Sequence, residues 1–346
     1  MEHDREEARK RAARKRAIEK QRKTHRRRLM TLGVGAVIAL LLVICVVLLI
    51  VRTSKNGRQA SIQEPESTAS PVASPTAEPA SIPSTPPLTI QTDWYRERTE
   101  QLKHNLTAYG NYKDAAAVYA ALEQMQIDPN GKKLALTFDD GPDSLITGQI
   151  LDVLEENHAR ATFFVKGAYI DNNKELIRRE LGLGCEIGNH TMNHEDLEKL
   201  SPAERRTTVG ELNDKMYQLF GYRVHLLRPP YISYGKKDEA IRNDIVAMAS
   251  EYELAIVNHT RSSHDSHEDY TAQMMIDRVL AEKDELGRGL NNAILLFHDK
   301  YQKTADAMKV IIPALQQQGY QLVTVSELLN CSNEGLHYGW IYSKAD

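Results

Sequence analysis

The stretch LALTFDDGPD, residues 134–143, decides how the rest of the chain is interpreted. An apolar run typical of a buried strand ends on two adjacent carboxylates, Asp139 and Asp140, and then turns through Gly141 and Pro142. Neighbouring side chains on a strand point to opposite faces, so two aspartates at a strand end can do different jobs in one pocket. One can bind a metal ion while the other accepts a proton. Taken alone, the segment is also compatible with a simple turn built from preferred turn residues.

After residue 131, the chain alternates short apolar runs with helical patterns. The strand-like runs are 134–138, 161–165, 185–188, 224–227, 254–257, 293–297 and 321–323. The helical patterns are 145–157, 173–181, 202–220, 237–250, 272–285 and 305–317. This alternation predicts an α/β fold with a parallel sheet, and we expect a distorted (β/α) barrel of about seven strands. In barrels the functional residues lie at the C-terminal ends of the strands, which is where the polar residues of this chain fall.

Polar residues follow three further strands of the predicted sheet. His190 and His194 follow the third strand, and a spacing of four would place both imidazoles on one face of a helical turn, where they can bind one ion. Such a pair is often incidental, but together with one carboxylate it makes a three-ligand site with open positions. Arg228 follows the fourth strand, in a loop that two prolines stiffen. His298 follows the sixth strand, as either a buried core residue or a proton donor.

The N-terminal part differs in composition from the remainder. Residues 1–28 contain 13 Lys and Arg against 5 Asp and Glu, which leaves 31 basic and 42 acidic residues elsewhere. The run from Leu29 to Val51 has no charged residue and, at about 1.5 Å per residue, is long enough to cross a bilayer core of about 30 Å. It has no evident small-residue cleavage site, so we predict an uncleaved anchor and not a signal peptide.

The basic tail at residues 1–28 sets the expected topology. The positive-inside rule places this tail in the cytoplasm and everything after the anchor outside the cell, as in a single-pass membrane protein. A basic tail can also bind nucleic acid. Because this tail precedes a predicted membrane-spanning segment, however, membrane topology explains its basic residues more simply. We therefore expect the membrane, and no nucleic acid, as a partner of this part of the chain.

Composition divides the remaining chain into a linker, a helical segment and one domain. Residues 52–92 contain a stretch rich in Pro, Ser and Thr that cannot bury enough apolar surface to fold, which predicts a disordered linker. Residues 93–130 predict one or two helices, the first capped by Asp93. We expect the main domain at 131–330 and a C-terminal tail at 331–346. Cys185 and Cys331 are not a disulfide framework, and the sequence leaves open whether they pair.

Taken together, the strand-end motifs resemble those of the polysaccharide deacetylase family, the carbohydrate esterases built on the NodB homology domain. The matching motifs are TFDDGP at 137–142, RATFF at 160–164, HTMNH at 190–194, RPPY at 228–231 and LLFHD at 295–299. The resemblance covers about residues 132–329. The anchor, the linker and the leading helices lie outside it.

The resemblance implies a metal-dependent hydrolase. The implied metal ligands are Asp140, His190 and His194. The expected ion is Zn²⁺, with Co²⁺, Mn²⁺ and Ni²⁺ as alternatives, and it would activate a water molecule. Asp139 would take a proton from that water, and Arg228 would orient Asp139 and favour its ionised form.

The resemblance also assigns roles around the substrate. The backbone N–H of Tyr231 would help to bind the oxyanion that forms from the acetyl carbonyl. His298 would protonate the departing amine or alcohol. Residues in supporting positions would be Thr191, Pro230 and Leu296.

One family motif has no secure counterpart in this chain. Relatives carry an aspartate after the fifth strand that tunes the acid histidine, and here the region 257–269 offers both Asp265 and Asp269. The sequence does not choose between them. Because this region is rich in histidines and carboxylates, it could bind another ion, although a solvated, substrate-specific loop is the favoured interpretation.

These implications predict an extracellular, membrane-anchored deacetylase whose partner is an acetylated glycan polymer, with peptidoglycan N-acetylglucosamine as the expected substrate. Two alternatives stay open. An O-acetyl esterase acting on xylan or another polysaccharide would use the same residues. A glycan-binding relative without turnover would keep the fold.

Overall fold

The computed structural model of the chain describes residues 88–331 and 335–345. Two leading helices, α1 (Leu88–Tyr109) and α2 (Ala115–Gln124), precede the sheet. The basic tail, the anchor at 29–51 and the linker up to residue 87, all expected from the sequence, lie outside the described residues. Within the described ranges, none of the helices is long and apolar enough to cross a membrane.

One sheet of nine short strands, all paired in parallel, organises the described residues. The strands are β1 (Lys133–Asp139), β2 (Thr162–Val165), β3 (Glu186–Asn189), β4 (Leu226–Leu227), β5 (Ala255–Val257), β6 (Arg261–Ser262), β7 (Ile294–His298), β8 (Gln321–Leu322) and β9 (Ile341–Tyr342). They follow the order β6-β7-β1-β2-β3-β4-β5-β9, and β8 pairs with the start of β1. Only residues 258–260 connect β5 to β6, although the two strands lie near opposite ends of that order. The sheet must therefore curl until its two edges approach.

The parallel α/β architecture expected from the sequence is confirmed, as a curled half-barrel with nine strands where about seven were predicted. The sequence analysis missed β6 and β9, which are two residues long and owe their conformation to the strands beside them. Parallel strands that are buried on both faces appear in the sequence as continuous apolar runs, and for this reason the longer strands were predicted.

Six of the eight helices described after β1 overlap those predicted from the sequence, and the two shortest were missed. The eight helices are α3 (Thr147–Glu156), α4 (Gly167–Ile170), α5 (Lys174–Gly182), α6 (Pro202–Phe220), α7 (Glu239–Glu251), α8 (Ala272–Leu280), α9 (Gln302–Gln317) and α10 (Val325–Asn330). The leading helix α1, which precedes β1, differs from its prediction, because Asp93 lies inside the helix and is not its cap residue. The helix begins at Leu88, so residues 88–92, which were expected to belong to the disordered linker, are helical.

A row of three phenylalanines lies directly below the polar end of the sheet. Phe138 of β1 pairs in register with Phe163 of β2 and Phe297 of β7, and the ring centroids are 5.1 and 5.7 Å apart. All three rings are buried. The next register positions are Asp139 and His298. Close packing of this row fixes the height at which the two polar side chains emerge from the core.

Both ends of the described chain pack onto the domain that the sheet and its helices form. At the N-terminal ends of the strands, two arginines contact Glu327. Nη2 of Arg98, in α1, is 3.9 Å from Oε1, and Nη2 of Arg160 is 3.0 Å from Oε2. At the other end of the chain, β9 pairs with β5, and Tyr342 and Ala345 are buried. The last described segment, expected as a tail, thus contributes a strand to the sheet.

Candidate metal centre and active site

The structure brings Asp140, His190 and His194 together at the C-terminal end of the sheet. One ligand atom from each side chain lies within 4.8 Å of the others. Oδ1 of Asp140 is 3.1 Å from Nε2 of His194 and 3.8 Å from Nε2 of His190. Across residues 88–331 and 335–345, no second group of three or more His, Cys, Asp or Glu side chains is placed in this way. The loop 257–269 therefore forms no comparable ion site within the described chain.

The histidine segment is a loop and not the helical turn expected from its spacing. Thr191 and His194 have φ angles of 63° and 66°, which are left-handed conformations that interrupt a helix. Asn189, which sequence reasoning missed, holds the loop. Its Oδ1 accepts a hydrogen bond from the Thr191 N–H at 2.8 Å, and its Nδ2 donates to the carbonyl oxygen of Val209 at 2.9 Å. These bends, and not a helix face, direct both imidazoles toward Asp140.

The three side chains fit a divalent ion. Nδ1 of His190 is 2.6 Å from the carbonyl oxygen of Arg228, an acceptor that keeps the ring proton on Nδ1 and leaves the Nε2 lone pair for an ion. Burial lowers the pKa of His190 to about 4 and also lowers the pKa of His194, so both rings are neutral near pH 7. Oδ1 of Asp140 is buried and has no hydrogen-bond partner among the described residues. A lone carboxylate oxygen facing two neutral imidazoles matches the ligand set of catalytic zinc sites.

Two lysines help to keep Asp140 ionised. Burial would raise the pKa of Asp140, but the hydrogen bond from Lys300 and the electrostatic interactions with His190, Lys300 and Lys166 outweigh burial and lower the pKa to about 2. Nζ of Lys300 is 2.5 Å from Oδ2, and Nζ of Lys166 is 3.7 Å from Oδ1. Sequence reasoning missed both lysines because a single lysine after a strand has no recognisable pattern.

Asp139 lies beside the triad and is held by Arg228. Its Oδ1 accepts a hydrogen bond from Nη1 of Arg228 at 2.8 Å, and its Oδ2 lies 3.9 Å from Nε2 of His190. The buried guanidinium also donates to Thr137 Oγ1 at 2.7 Å and to the carbonyl oxygens of Val257 and Asn258 at 3.2 and 3.1 Å. A carboxylate with one oxygen fixed and the other turned toward the metal ligands is well placed to accept a proton from water.

His298 is paired with Asp265, which resolves the choice that the sequence left open. Its Nδ1 is 2.8 Å from Oδ1 of Asp265, and its backbone N–H donates to Oδ2 at 2.6 Å. Asp269 is exposed. Burial would lower the pKa of His298, but the hydrogen bond and charge of Asp265 outweigh burial and raise it. His298 therefore retains its proton to higher pH than an ordinary histidine, which suits a general acid.

The loop after β4 places Tyr231 at the rim of the site. Tyr231 and Ile232 have φ angles of 59° and 57°, and non-glycine residues held in such conformations cluster at functional sites. Tyr231 is 70% exposed, and its Oη lies 3.2 Å from Nδ1 of His194. The predicted role of its backbone N–H in binding an oxyanion stays a prediction. Pro230 is buried before it, and Leu296 lies on β7 in register with Thr137.

We expect one divalent ion per chain, and its loss when a histidine of the triad is replaced. Replacing residues that merely support metal ligands costs about 10–100-fold in affinity, so His190→Ala and His194→Ala should each weaken Zn²⁺ binding by at least about 100-fold. Competition with a chromophoric chelator measures the affinity. His264→Ala, which changes a histidine of the loop 257–269, is the matched control and should retain the ion. Full affinity in both triad variants would contradict the assignment.

Comparisons with known proteins find similarity to polysaccharide deacetylases. A family model described as polysaccharide deacetylase matches residues 126–247. The chain is 37% identical over 202 residues to the peptidoglycan-N-acetylmuramic acid deacetylase PdaC of Bacillus subtilis, which covers 58% of this chain and 40% of that protein. It is 32% identical over 209 residues to the chitin deacetylase of Colletotrichum lindemuthianum, which covers 58% of this chain and 81% of that protein. The chain thus spans less than half the length of the first relative and most of the second.

A solved structure of a peptidoglycan deacetylase has a similar fold. The peptidoglycan deacetylase PdaC from Bacillus subtilis matches with a TM-score of 0.52 and 35% sequence identity. The match covers 59% of this chain and 93% of that chain. The similarity therefore extends over nearly the whole of the solved domain.

Proposed function

Since this chain belongs to the polysaccharide deacetylase family, we propose that it is a divalent-metal-dependent hydrolase that removes acetyl groups from an N-acetylated glycan. One observation carries the proposal. Asp140, His190 and His194 meet around a buried carboxylate oxygen that has no hydrogen-bond partner in the described chain, and Asp139 and His298 lie beside them in register. Ligands for an ion, a base and an acid are therefore present in one pocket.

The residues divide the hydrolysis between them. A divalent ion held by Asp140, His190 and His194 would supply Lewis-acid activation of the acetyl carbonyl and of the attacking water. Asp139 accepts the proton of that water through Oδ2, because Oδ1 is occupied by Arg228. The water oxygen bonds to the acetyl carbon, and the resulting tetrahedral intermediate then loses its C–N bond.

The departing amine receives its proton from His298. Asp265 holds Nδ1 of this ring, which leaves Nε2 to carry the transferred proton. The products are acetate and a sugar with a free amine. In an O-acetyl ester the departing group would be an alcohol, and the same residues would act in the same way.

Peptidoglycan is the proposed substrate. One relative is named for N-acetylmuramic acid in peptidoglycan and another for chitin, a polymer of N-acetylglucosamine, so the names support an N-acetylated glycan without choosing the sugar. The sequence analysis favours N-acetylglucosamine. A single-pass anchor at 29–51 with the domain outside the cell is part of the same proposal, because it would place the domain beside the wall.

Acetate release from purified glycans tests the proposal. The full chain is incubated with peptidoglycan, chitotetraose and acetylated xylan, and the acetate released is measured. We expect release from the N-acetylated glycans, loss of activity after chelation and recovery with Zn²⁺. Release from xylan alone would identify an O-acetyl esterase. Glycan binding without acetate release would identify a non-catalytic relative.

Replacing Asp265 should change how activity depends on pH. His298 must be protonated to act as an acid, so activity falls as pH rises through its pKa. Because Asp265 raises that pKa, Asp265→Asn should lower it and shift the alkaline limb of the kcat profile to lower pH. Asp269→Asn is the matched control, since Asp269 is exposed. The same alkaline limb in all three proteins would show that Asp265 does not tune the acid.

A further inference from the structure

Two lysines border the metal centre from the two sides of β1. The strands β2 and β7 pair with β1 on either side of it, in parallel. Lys166 is the residue after β2, and Lys300 comes two residues after β7. Because parallel strands end at the same edge of a sheet, the two side chains meet at Asp140, where their Nζ atoms lie 3.7 Å from Oδ1 and 2.5 Å from Oδ2.

The charges around the centre leave an excess of positive charge. Arg228 is paired with Asp139, and His298 is paired with Asp265. Asp140 faces two lysines, and burial raises the pKa of the nearby Asp299 carboxyl to about 7, so the charge around the centre is net positive below that pH. A divalent ion would add to this excess. The chain after residue 28 is acidic, with 42 acidic against 31 basic residues, so the concentration of cations here is local.

Both ammonium groups have N–H donors left for a ligand. Lys300 gives one of its three donors to Asp140, and its side chain is 36% exposed. Lys166 lies beyond hydrogen-bonding distance of Asp140, and in the described part of the chain its ammonium group makes ion-pair and ring contacts but no hydrogen bond. The Tyr169 ring lies 4.3 Å from this nitrogen, and the Lys166 backbone N–H donates to the carbonyl oxygen of Gly141 at 2.9 Å. Lys166 is thus held in place with its donors available.

A role limited to neutralising Asp140 explains only one of the two lysines. Lys300 forms the short hydrogen bond and is sufficient to balance one carboxylate. A second ammonium group at 3.7 Å from the oxygen that faces the histidines would repel a bound cation. Such a group is favourable at this position when an anion of the substrate accompanies the ion.

We propose that Lys166 and Lys300 form a carboxylate-binding subsite beside the metal centre, and that the deacetylated sugar carries an anionic group next to its acetamido group. In peptidoglycan this chemistry belongs to muramic acid, whose lactyl carboxylate is attached through the neighbouring ring carbon and is free where no peptide is linked to it. The inference rests on the proposed deacetylase function. It replaces N-acetylglucosamine by the muramic sugar as the favoured substrate.

Matched substrates test the subsite. The full chain is given peptidoglycan tetrasaccharides that carry the free lactyl carboxylate, its carboxamide or a stem peptide, and mass spectrometry locates the sugar that loses acetyl. We expect kcat/KM for muramic deacetylation to be about 10-fold or more higher with the free carboxylate than with the carboxamide, as one charge-assisted hydrogen bond predicts. A preference for the stem-peptide substrate over the free carboxylate would place the recognised anion on the peptide and overturn the proposal.

Variants of Lys166 assign the preference to this subsite. Lys166→Met should bring the ratio of the two kcat/KM values close to 1, while Lys166→Arg should keep most of the preference. Because the ratio compares two substrates of one protein, a loss of ion or of folded protein lowers both values and leaves the ratio unchanged. Lys309→Met, on the exposed face of α9, is the control for removing a lysine. An unchanged ratio in Lys166→Met and in Lys166→Met/Lys300→Met would overturn the proposal.

Binding gives a readout that does not need turnover. Asp139→Asn protein is titrated with the free-carboxylate and carboxamide tetrasaccharides, and the dissociation constants are compared with those of Asp139→Asn/Lys166→Met. We expect tighter binding of the carboxylate only when Lys166 is present. Equal constants for the two glycans would overturn the subsite. Absence of acetate release from every glycan would count against the deacetylase function, and the binding comparison would still decide on the subsite.

Discussion

Asp139→Asn is expected to lower kcat by about 10²–10⁴-fold while the protein retains its divalent ion, because a general base is removed and no metal ligand is. In the structure Asp139 contacts Arg228 at 2.8 Å, whereas the ligand group consists of Asp140, His190 and His194. An asparagine keeps the shape of the side chain and can still accept a hydrogen bond from the guanidinium. It cannot accept a proton from water at neutral pH.

Two further variants distinguish a general base from a metal ligand and from an unrelated carboxylate. Asp140→Asn should lose both activity and ion, which separates a ligand from a base at adjacent positions of the chain. Asp152→Asn, which changes a surface carboxylate paired with Arg179, should lose neither. Acetate release gives kcat, and metal analysis of the dialysed protein gives the ion content. Near-normal kcat in Asp139→Asn would remove this residue from its role as base.

Arg228→Met is expected to lower the free energy of unfolding by about 3–5 kcal/mol, because it leaves the buried Asp139 carboxylate without its cation. Arg228 is among the largest fully buried side chains, and its guanidinium lies 4.1 Å from the Phe164 ring centroid. Methionine fills part of the volume but donates no hydrogen bond to Thr137 or to the carbonyl oxygen of Val257. Chemical denaturation measures the loss.

A double variant identifies the cause of that loss. In Asp139→Asn/Arg228→Met the buried charge is gone, so part of the lost stability should return, and the two changes should not be additive. Arg205→Met is the matched control, since Arg205 is a buried arginine paired with Asp244 away from the metal ligands. It should destabilise the protein but leave kcat of the folded enzyme close to normal. Additive effects at Asp139 and Arg228 would show that their ion pair is not what stabilises the site.

The sequence correctly predicted strands and site residues where the pattern lies within a single strand and the motif that follows it. The apolar run ending at Asp139 is buried over its whole length in β1, and the strand-end histidines do meet Asp140. Motif spacing could locate these residues because each motif follows a strand of a parallel sheet. Their local conformation was not predictable, since the spacing of the histidines reveals neither the left-handed φ angles at Thr191 and His194 nor the hydrogen bond from the Thr191 N–H to Asn189.

Residues whose importance depends on neighbours across the sheet could not be found in this way. Lys166 and Lys300 are isolated lysines in the sequence, and only the pairing of β2 and β7 with β1 brings them to one carboxylate. The choice between Asp265 and Asp269 likewise required the position of the loop relative to β7, where Thr304 also donates to Asp265 at 2.9 Å. The anchor and linker remain predictions from composition.

The strand β9 gives the last residues of the chain an importance that their distance from the motifs conceals. It pairs with β5, which carries the carbonyl oxygen of Val257 that receives a hydrogen bond from Arg228. A premature stop codon or a frameshift after Asn330 would leave the codons of all the proposed catalytic residues intact. It would still remove β9, which pairs with the strand that holds the Arg228 side chain. We therefore expect such alleles to behave as loss-of-function alleles, and genome comparisons should not count them as encoding an intact enzyme.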